Sequence, residues 1–394
     1  MLSGPMREPL RITACFALLG ALAWACGSEH EALKKKEPPA SGGAAGTDAG
    51  ADAAPDVEVD ADPDVFVEPT GSVKLTLLHA VVDSPRIAYC FAKVVDGQPG
   101  APLGSPLPAG GLEWGRSLTV SQLEGVDFAK DDLLPVVVAG DFSLLAGKGC
   151  ADAVTLAQSL AKPDADATLD AEAAVLDATP DGDAGDGDAA TVELPPPPKL
   201  RAAELPVIPA GTLSMGYSLL FAAAGCIGGP AFSDPLETWV CGPGYSPSTP
   251  TLTPVLLPLS RVTKAAAMGL QVVNAARAAD PIDVASSYPK GSSVPKIWVV
   301  DDVAFGAVAP RPPLLSYSAT AFGAPISASL LEVSSQGSTA AMYTSTWKDA
   351  LDLGGLSDVK DARTYALVLV GPRPNNPAAK WWNGPRLVAL PADP

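Results

Sequence analysis

From residue 74 onward the chain is a succession of short apolar runs broken by turn residues. Lys74–Val82 (KLTLLHAVV) and Arg86–Val95 (RIAYCFAKVV) are apolar or alternating, and Asp83, Ser84 and Pro85 separate them. LLPVVVAG (Leu133–Gly140), TLSMGYSLLFAAAG (Thr212–Gly225), MGLQVVNA (Met268–Ala275), KIWVVDDVAFGAV (Lys296–Val308), SASLLEVSS (Ser327–Ser335) and TYALVLVG (Thr364–Gly371) continue the style. Each is rich in Val, Leu and aromatics and bounded by Gly, Pro, Asp or Ser, so each predicts a strand. Helical periodicity is scarce: QSLAKP and AAVLDA predict brief helical turns, and STWKDALDLGG a short helix. The expected class is therefore all-β, with sandwich architecture.

An internal repeat divides the strands into two sets. LLHAVVDSPRIAYC, starting at Leu77, lies on VVNAARAADPIDVA, starting at Val272, which places His79 on Asn274, Ala80 on Ala275 and Ile87 on Ile282. Each copy closes on a strand that runs into glycine, Gly216–Gly225 and Thr364–Gly371. Two homologous β-sandwich domains in tandem are expected, at 71–260 and 265–394.

Composition changes the picture at two places. The 394 residues carry a net charge of −18, but residues 27–70 hold eleven Asp/Glu against three Lys, and residues 163–198 hold ten Asp/Glu with no Lys or Arg. Everything else is near neutral. The first stretch is dominated by Ala, Gly, Pro and Asp, cannot bury enough apolar area to offset its ordering entropy, and predicts a disordered acidic tether over 26–70. The second predicts a disordered insertion in the first domain at 163–198. No basic patch exists for a nucleic acid.

The N-terminus predicts export. Arg7 and Arg11 precede an apolar run from Ala14 to Leu22, small Ala25 follows, and Cys26 stands where the chain turns polar. The run is shorter than the ~20 residues a membrane-spanning helix needs, and the pattern over 1–25 is that of a signal peptide. With Cys26 at the cleavage point it resembles a lipoprotein signal, which implies lipidation of that thiol and a membrane anchor. Ala23 takes the place where such a box prefers Leu, and an ordinary signal peptide cut near Ala25 would leave Cys26 a bystander. Gly27, rather than Asp, after the Cys favours the outer membrane of a Gram-negative bacterium, on its periplasmic face or at the cell surface.

Export also fits Cys90, Cys150, Cys226 and Cys241 as structural disulfides. Four cysteines allow three pairings; Cys90–Cys150 and Cys226–Cys241 are favoured because each joins neighbours within one domain.

Tests for chemistry come back thin. His79 is the only His outside the tether, and neither a G-x-S-x-G nor an H-E-x-x-H run occurs. His79 is expected to bond the following turn, through Asp83 or a backbone carbonyl. The run Asp181, Asp183, Asp186, Asp188 fails an EF-hand loop at positions 5, 6 and 12, where Gly185, Asp186 and Val192 stand. GCIGGP (Gly225–Pro230) lacks the helix and Lys-Ser/Thr that would cradle phosphate. No metal and no cofactor is expected. Trp381 and Trp382 in KWWNGP are the candidate contacts of a carbohydrate-binding module.

The strand-turn-strand openings resemble a family of unknown function found as tandem sandwiches in exported bacterial proteins, whose domains open with a His-Ala-Ser-Pro-Asp-Ala-Pro-like run. His79, Ala80, Asp83, Pro85 and Ile87 match its frame; in the second copy Ala275, Ile282, Asp283 and Val284 match, with Asn274 in place of His. The resemblance implies immunoglobulin-like sandwiches in the cell envelope and no enzymatic activity. The expected function is thus a non-enzymatic lipoprotein with a structural, adhesion or protein-contact role, an envelope protein or a glycan being the partner. If 163–198 is a disordered insertion, deleting 164–198 should leave the melting temperature nearly unchanged in a calorimetric scan; a loss of many degrees would contradict it.

Overall fold

The computed structural model describes residues 74–161, 200–213, 218–228, 240–242, 244–246, 249–261, 267–277, 279–287, 297–310, 314–317, 326–372 and 383–392. The expected signal peptide, the two acidic stretches and Trp381–Trp382 lie outside these residues.

The fold is all-β. The first set of elements is β1 (Lys74–Val81), β2 (Arg86–Val95), β3 (Gln98–Glu113), β4 (Ser117–Val120), β5 (Asp132–Gly140), helix α1 (Cys150–Ala161), β6 (Leu200–Glu204), β7 (Ser218–Gly225) and β8 (Thr253–Leu259). They form two four-stranded sheets, β4-β1-β7-β8 and β3-β2-β5-β6. The second set is β9 (Met268–Asn274), β10 (Ile282–Ser287), β11 (Ile297–Val303), β12 (Val308–Ala309), β13 (Leu315–Tyr317), β14 (Leu330–Ser335), β15 (Ala341–Thr346), helix α2 (Trp347–Leu353), β16 (Thr364–Val370) and β17 (Arg386–Pro391). Its sheets run β12-β9-β16-β17, with β13 also on β9, and β11-β10-β14-β15.

The two sets share one topology. In each, the opening strand pairs parallel with the closing one: β1 with β7 in the register His79↔Ala223, and β9 with β16 in the register Asn274↔Leu369. The closing strands end on Gly225 and Gly371, both with positive φ, +101° and +122°. A Cβ on Gly225 would lie 2.6 Å from the Thr251 carbonyl oxygen, and one on Gly371 2.8 Å from Pro385 Cα. Only glycine combines that backbone conformation with that approach.

Burial arranges the sheets as layers. One core lies between β4-β1-β7-β8 and β3-β2-β5-β6, built from Leu75, Leu77, Ile87, Tyr89, Phe91, Val137, Leu219 and Phe221. Another lies between the two sheets of the second set, around Leu270, Val272, Ile282, Val284, Leu331, Val333, Trp347 and Leu367. A third joins the sets: Leu78, Ala80, Leu220, Ala222, Ala224 and Leu259 pack with Val273, Ala275, Ala366, Val368, Val388 and Leu390. Helix α1 covers the outer face of β2 and β5, where Val154, Ala153 and Ala157 meet Ala92, Val136 and Val138.

Side chains on a strand alternate faces, so the two inner sheets are apolar on both. On β1, odd positions Leu75 and Leu77 face one core while even positions Leu78 and Ala80 face the other. On β16, Tyr365, Leu367 and Leu369 face one core, and Ala366, Val368 and Val370 the other. That is why β7 (SLLFAAAG) and β16 (TYALVLV) read as unbroken apolar runs, the signature of strands covered on both sides.

Two disulfides staple the first sandwich. Cys90–Cys150 ties β2 to the first turn of α1, and Cys226–Cys241 closes the loop after β7, the pairs favoured from the sequence. Their loops of 60 and 15 residues restrict the unfolded chain by about 4 and about 3 kcal/mol. In the second sandwich, α2 is fixed by a capping box, Thr346 Oγ1 accepting from Asp349 N at 3.0 Å and Asp349 Oδ2 from Thr346 N at 3.3 Å. Trp347, fully buried, donates from Nε1 to Ser286 Oγ at 3.2 Å.

The shared core decides how the two sandwiches behave apart. Separating them would expose Leu78, Leu220, Leu259, Val273, Val368, Val388 and Leu390, all buried. At about 1.5–3 kcal/mol for each such side chain, the loss is on the order of 10 kcal/mol, as large as the whole stability of an ordinary domain. Residues 71–260 and 265–394, expressed separately, should therefore aggregate or bind a hydrophobic dye strongly. Two soluble, dye-negative monomers in size-exclusion chromatography would refute the shared core.

Candidate functional site

Polar groups concentrate where the shared core reaches the turn after β1. His79 is fully buried at the end of that strand. Its Nε2 pairs with the Ser84 carbonyl at 3.0 Å, and its Nδ1 accepts from Val81 N at 3.2 Å. The proton therefore sits on Nε2 and the ring is neutral. Burial pushes its pKa down to about 3. Trp114 meets the ring edge-on, centroids 5.3 Å apart. Of the two partners expected for His79, the backbone carbonyl is the one found.

Asp83 turns elsewhere. Its two carboxylate oxygens accept from Ile227 N at 2.8 Å and Gly228 N at 2.7 Å, in the loop closed by Cys226–Cys241. Burial pushes its pKa up to about 6, against the pull of those two amides and of Arg201. Tyr89 is buried beneath; its hydroxyl donates to the Leu78 carbonyl at 2.6 Å and accepts from Ala223 N at 2.9 Å, bridging the parallel pair β1–β7.

The second sandwich reaches into this turn. Asn383, just before β17, is buried, and its Nδ2 donates toward the carbonyls of Val81, Val82 and Ser84 at 3.3, 2.8 and 2.7 Å. Trp114 Nε1 donates to the Gly384 carbonyl at 3.2 Å, and Arg386 Nη1 to the Trp114 carbonyl at 3.4 Å. Arg116 Nη1 donates to the carbonyls of Asp352 and Leu353 at the end of α2, where a cation complements the helix dipole. Gln271 exchanges two hydrogen bonds with the backbone of Ser260, each 3.2 Å.

The repeat carries over to side-chain chemistry. Asn274, the counterpart of His79, accepts on Oδ1 from Ala276 N at 3.1 Å and donates from Nδ2 to the Val303 carbonyl at 3.1 Å. Both residues thus accept from the amide two positions on and donate to a backbone carbonyl. A ring and an amide perform the same structural task.

Sequence reasoning found His79 and Asp83 but missed Asn383, Trp114 and Arg116. The Asn383-Gly384 dipeptide was legible as a turn, yet nothing local reveals that its amide crosses to the other sandwich. The candidate glycan contacts Trp381 and Trp382, the lipidation candidate Cys26 and the acidic run Asp181–Asp188 lie outside the described residues. Among the described residues, no group of three or more His, Cys, Asp or Glu stands close enough to hold a metal ion. A cleft of about 260 Å³ opens where β3 bulges away from β2; Tyr89, Phe91, Leu103 and Leu123 line it, and Glu124 is its one carboxylate.

No protein-family model matches the chain. No curated protein matches it either. Among solved structures there is a match to the tip fimbrial protein Mfa3 from Porphyromonas gingivalis with C-terminal truncation, at 10% identity, covering 82% of this chain and 100% of that one, with a TM-score of 0.18. A likeness that slight carries no statement about role.

Asp83 gives the fold a pH signature. Its carboxyl titrates near 3.8 in the unfolded chain and about 6 in the folded protein, so the folded state holds the extra proton between those values. Stability should fall by about 3 kcal/mol in total as pH rises from about 3 to about 7, most of it between pH 4 and 6, and then level off. The exposed Asp127 and Asp141 and the half-buried Asp131, held low by their partners, act with the opposite sign below that window. In urea titrations the decline should be present in the wild type and absent in Asp83→Asn; a stability rising from pH 4 to 6 would overturn the assignment.

Proposed function

We propose that this chain is a non-enzymatic, exported lipoprotein of the cell envelope, a tethered double sandwich with a structural, adhesion or protein-contact role. The observation that carries the reading is Cys26, placed directly after a basic-then-apolar leader and directly before an acidic stretch suited to act as a stalk. The two disulfides support an oxidising compartment. Gly27 after the cysteine favours the outer membrane.

The non-enzymatic part is supported by how the chemistry-bearing groups are engaged. Both nitrogens of His79 and both oxygens of Asp83 are taken up by backbone partners inside the protein, which leaves neither poised as acid or base toward a substrate. A double sandwich joined through a common core suits a rigid spacer or docking body. The second reading is a carbohydrate-binding module, for which the adjacent Trp381 and Trp382 speak.

Mass spectrometry of the mature N-terminus decides the anchor. The expected product begins at an acylated Cys26, and globomycin should block its maturation. An unmodified N-terminus at or near Cys26 would reject the lipoprotein reading. A glycan array with a Trp382→Ala control separates the roles: selective binding lost in that variant favours the carbohydrate module over the protein-contact role.

A further inference from the structure

The cleft between β2 and β3 differs from the turn after β1 in keeping polar side chains that nothing in the described chain engages. It owes its shape to a bulge. Tyr89 stands opposite Leu107 and Phe91 opposite Leu103, so Cys90 alone faces Gly104, Ser105 and Pro106. The surplus backbone of β3 therefore stands away from its partner. The connection from β4 to β5 closes the other side. There Val126 N donates to the Leu123 carbonyl at 3.2 Å, with Gly125 at φ +71°. That tight turn leaves Leu123 buried and Glu124 exposed at its tip.

Glu124 lays its carboxylate along the bulge. A Cβ on Gly104, itself at φ +63°, would stand 3.2 Å from Glu124 Oε2. Other carboxylates of this sandwich have cations: Glu113 pairs with Arg86 at 3.0 Å, Asp131 with Lys93 at 2.7 Å and Asp127 with Lys130 at 3.0 Å. Glu124 has no cation and no hydrogen-bond donor among the described residues, and the side chains of Gln122 and Ser105 beside it are equally unengaged. No Lys or Arg lines the cleft. Its walls are Tyr89, Phe91 and Leu123, all buried, and half-buried Leu103. An apolar pit thus opens beneath an uncompensated carboxylate.

We infer that this cleft receives a lysine side chain from a partner protein, its aliphatic stem against the apolar walls and its ammonium on Glu124. A long stem that buries while its charged end stays at the rim is how lysine meets such a surface. At about 260 Å³ the cleft falls below the roughly 300–1,000 Å³ of sites for drug-sized ligands and suits one side chain. Glu124 Oε2 lies against Gly104, which favours a compact ammonium over an arginine fork that uses both oxygens. Strand addition is the poorer mode of docking, because Pro99, Pro102, Pro106 and Pro108 take four N–H donors from edge strand β3. The inference rests on the protein-contact role for the source of the amine, and it is independent of Cys26.

The test follows the amide resonances of Ser105, Leu123, Glu124 and Gly125 in the full mature protein, with disulfides intact, at constant ionic strength. N-acetyl-lysine N-methylamide should give a saturable millimolar shift. The norleucine counterpart, which keeps the stem and lacks the charge, should bind about tenfold more weakly, as should lysine to Glu124→Gln. Because Glu124 is exposed and engages nothing in the described chain, that variant should keep the wild-type melting temperature. Resonances that do not move, that move equally with norleucine, or that move undiminished in Glu124→Gln overturn the proposal. Tighter binding of the arginine counterpart overturns it too, and n-butylamine binding where the blocked lysine does not would reject a partner protein in favour of a free amine. A blank titration rejects the lysine site alone, since the mass of the N-terminus decides the anchor separately.

Discussion

The burial of both faces of the two inner sheets is the constraint on which the remaining structure depends. A sheet that is apolar on one side needs one partner; β4-β1-β7-β8 and β12-β9-β16-β17 need two each, and they obtain the second from each other. Everything outward follows from that requirement. The outer sheets close the other faces, α1 covers the sheet that would otherwise remain apolar toward solvent, and α2 packs along β17. Parallel pairing at the centre of both inner sheets fits the same condition, since parallel strands occur almost only where both faces are covered.

A dry junction makes every polar group near it consequential. A buried amide or ring nitrogen without a partner costs about 1–3 kcal/mol, so the turn after β1 is saturated with bonds drawn from both sandwiches. His79 serves its own turn, Asn383 collects three carbonyls from the opposite sandwich, and Arg116 ends on the last carbonyls of α2. Such interlocks add directionality to a core of Ala, Val and Leu that could otherwise slide. Arg277 departs from this economy, because its Nε is buried without an acceptor.

Much of the fold was legible in the chain. The runs at Lys74–Val82, Arg86–Val95, Leu133–Gly140 and Thr364–Gly371 became β1, β2, β5 and β16, and STWKDALDLGG became α2 behind its capping box. Other elements were not legible, for identifiable reasons. β3 (QPGAPLGSPLPAGGLE) is dense in Gly and Pro and reads as loop; it is a strand because β2 supplies its partners through a series of register shifts. Helix α1 extends over Cys150–Ala161, well beyond the brief turn expected at QSLAKP, because the bond to Cys90 and a row of small residues seat it on β2 and β5. β6, β8, β15 and β17 each lie at a sheet edge with one neighbouring strand, and in the first three a partly exposed face leaves a mixed rather than an unbroken apolar run.

The sequence by itself determined the local preferences: strand runs, their repeat, the glycines that end β7 and β16, the cysteines and the two acidic stretches. These depend on side-chain size, charge and backbone freedom within a few residues of one another. Only the tertiary structure decided that the two sandwiches share a core. An unbroken apolar run states that both faces of a strand are covered, yet it does not state by what. It likewise decided that His79 and Asn274 perform one task, and that Asn383 and Arg277 act on the opposite sandwich. Those outcomes come from residues up to about 300 positions apart meeting in a medium without water, where the choice of partner is set by packing rather than by sequence distance.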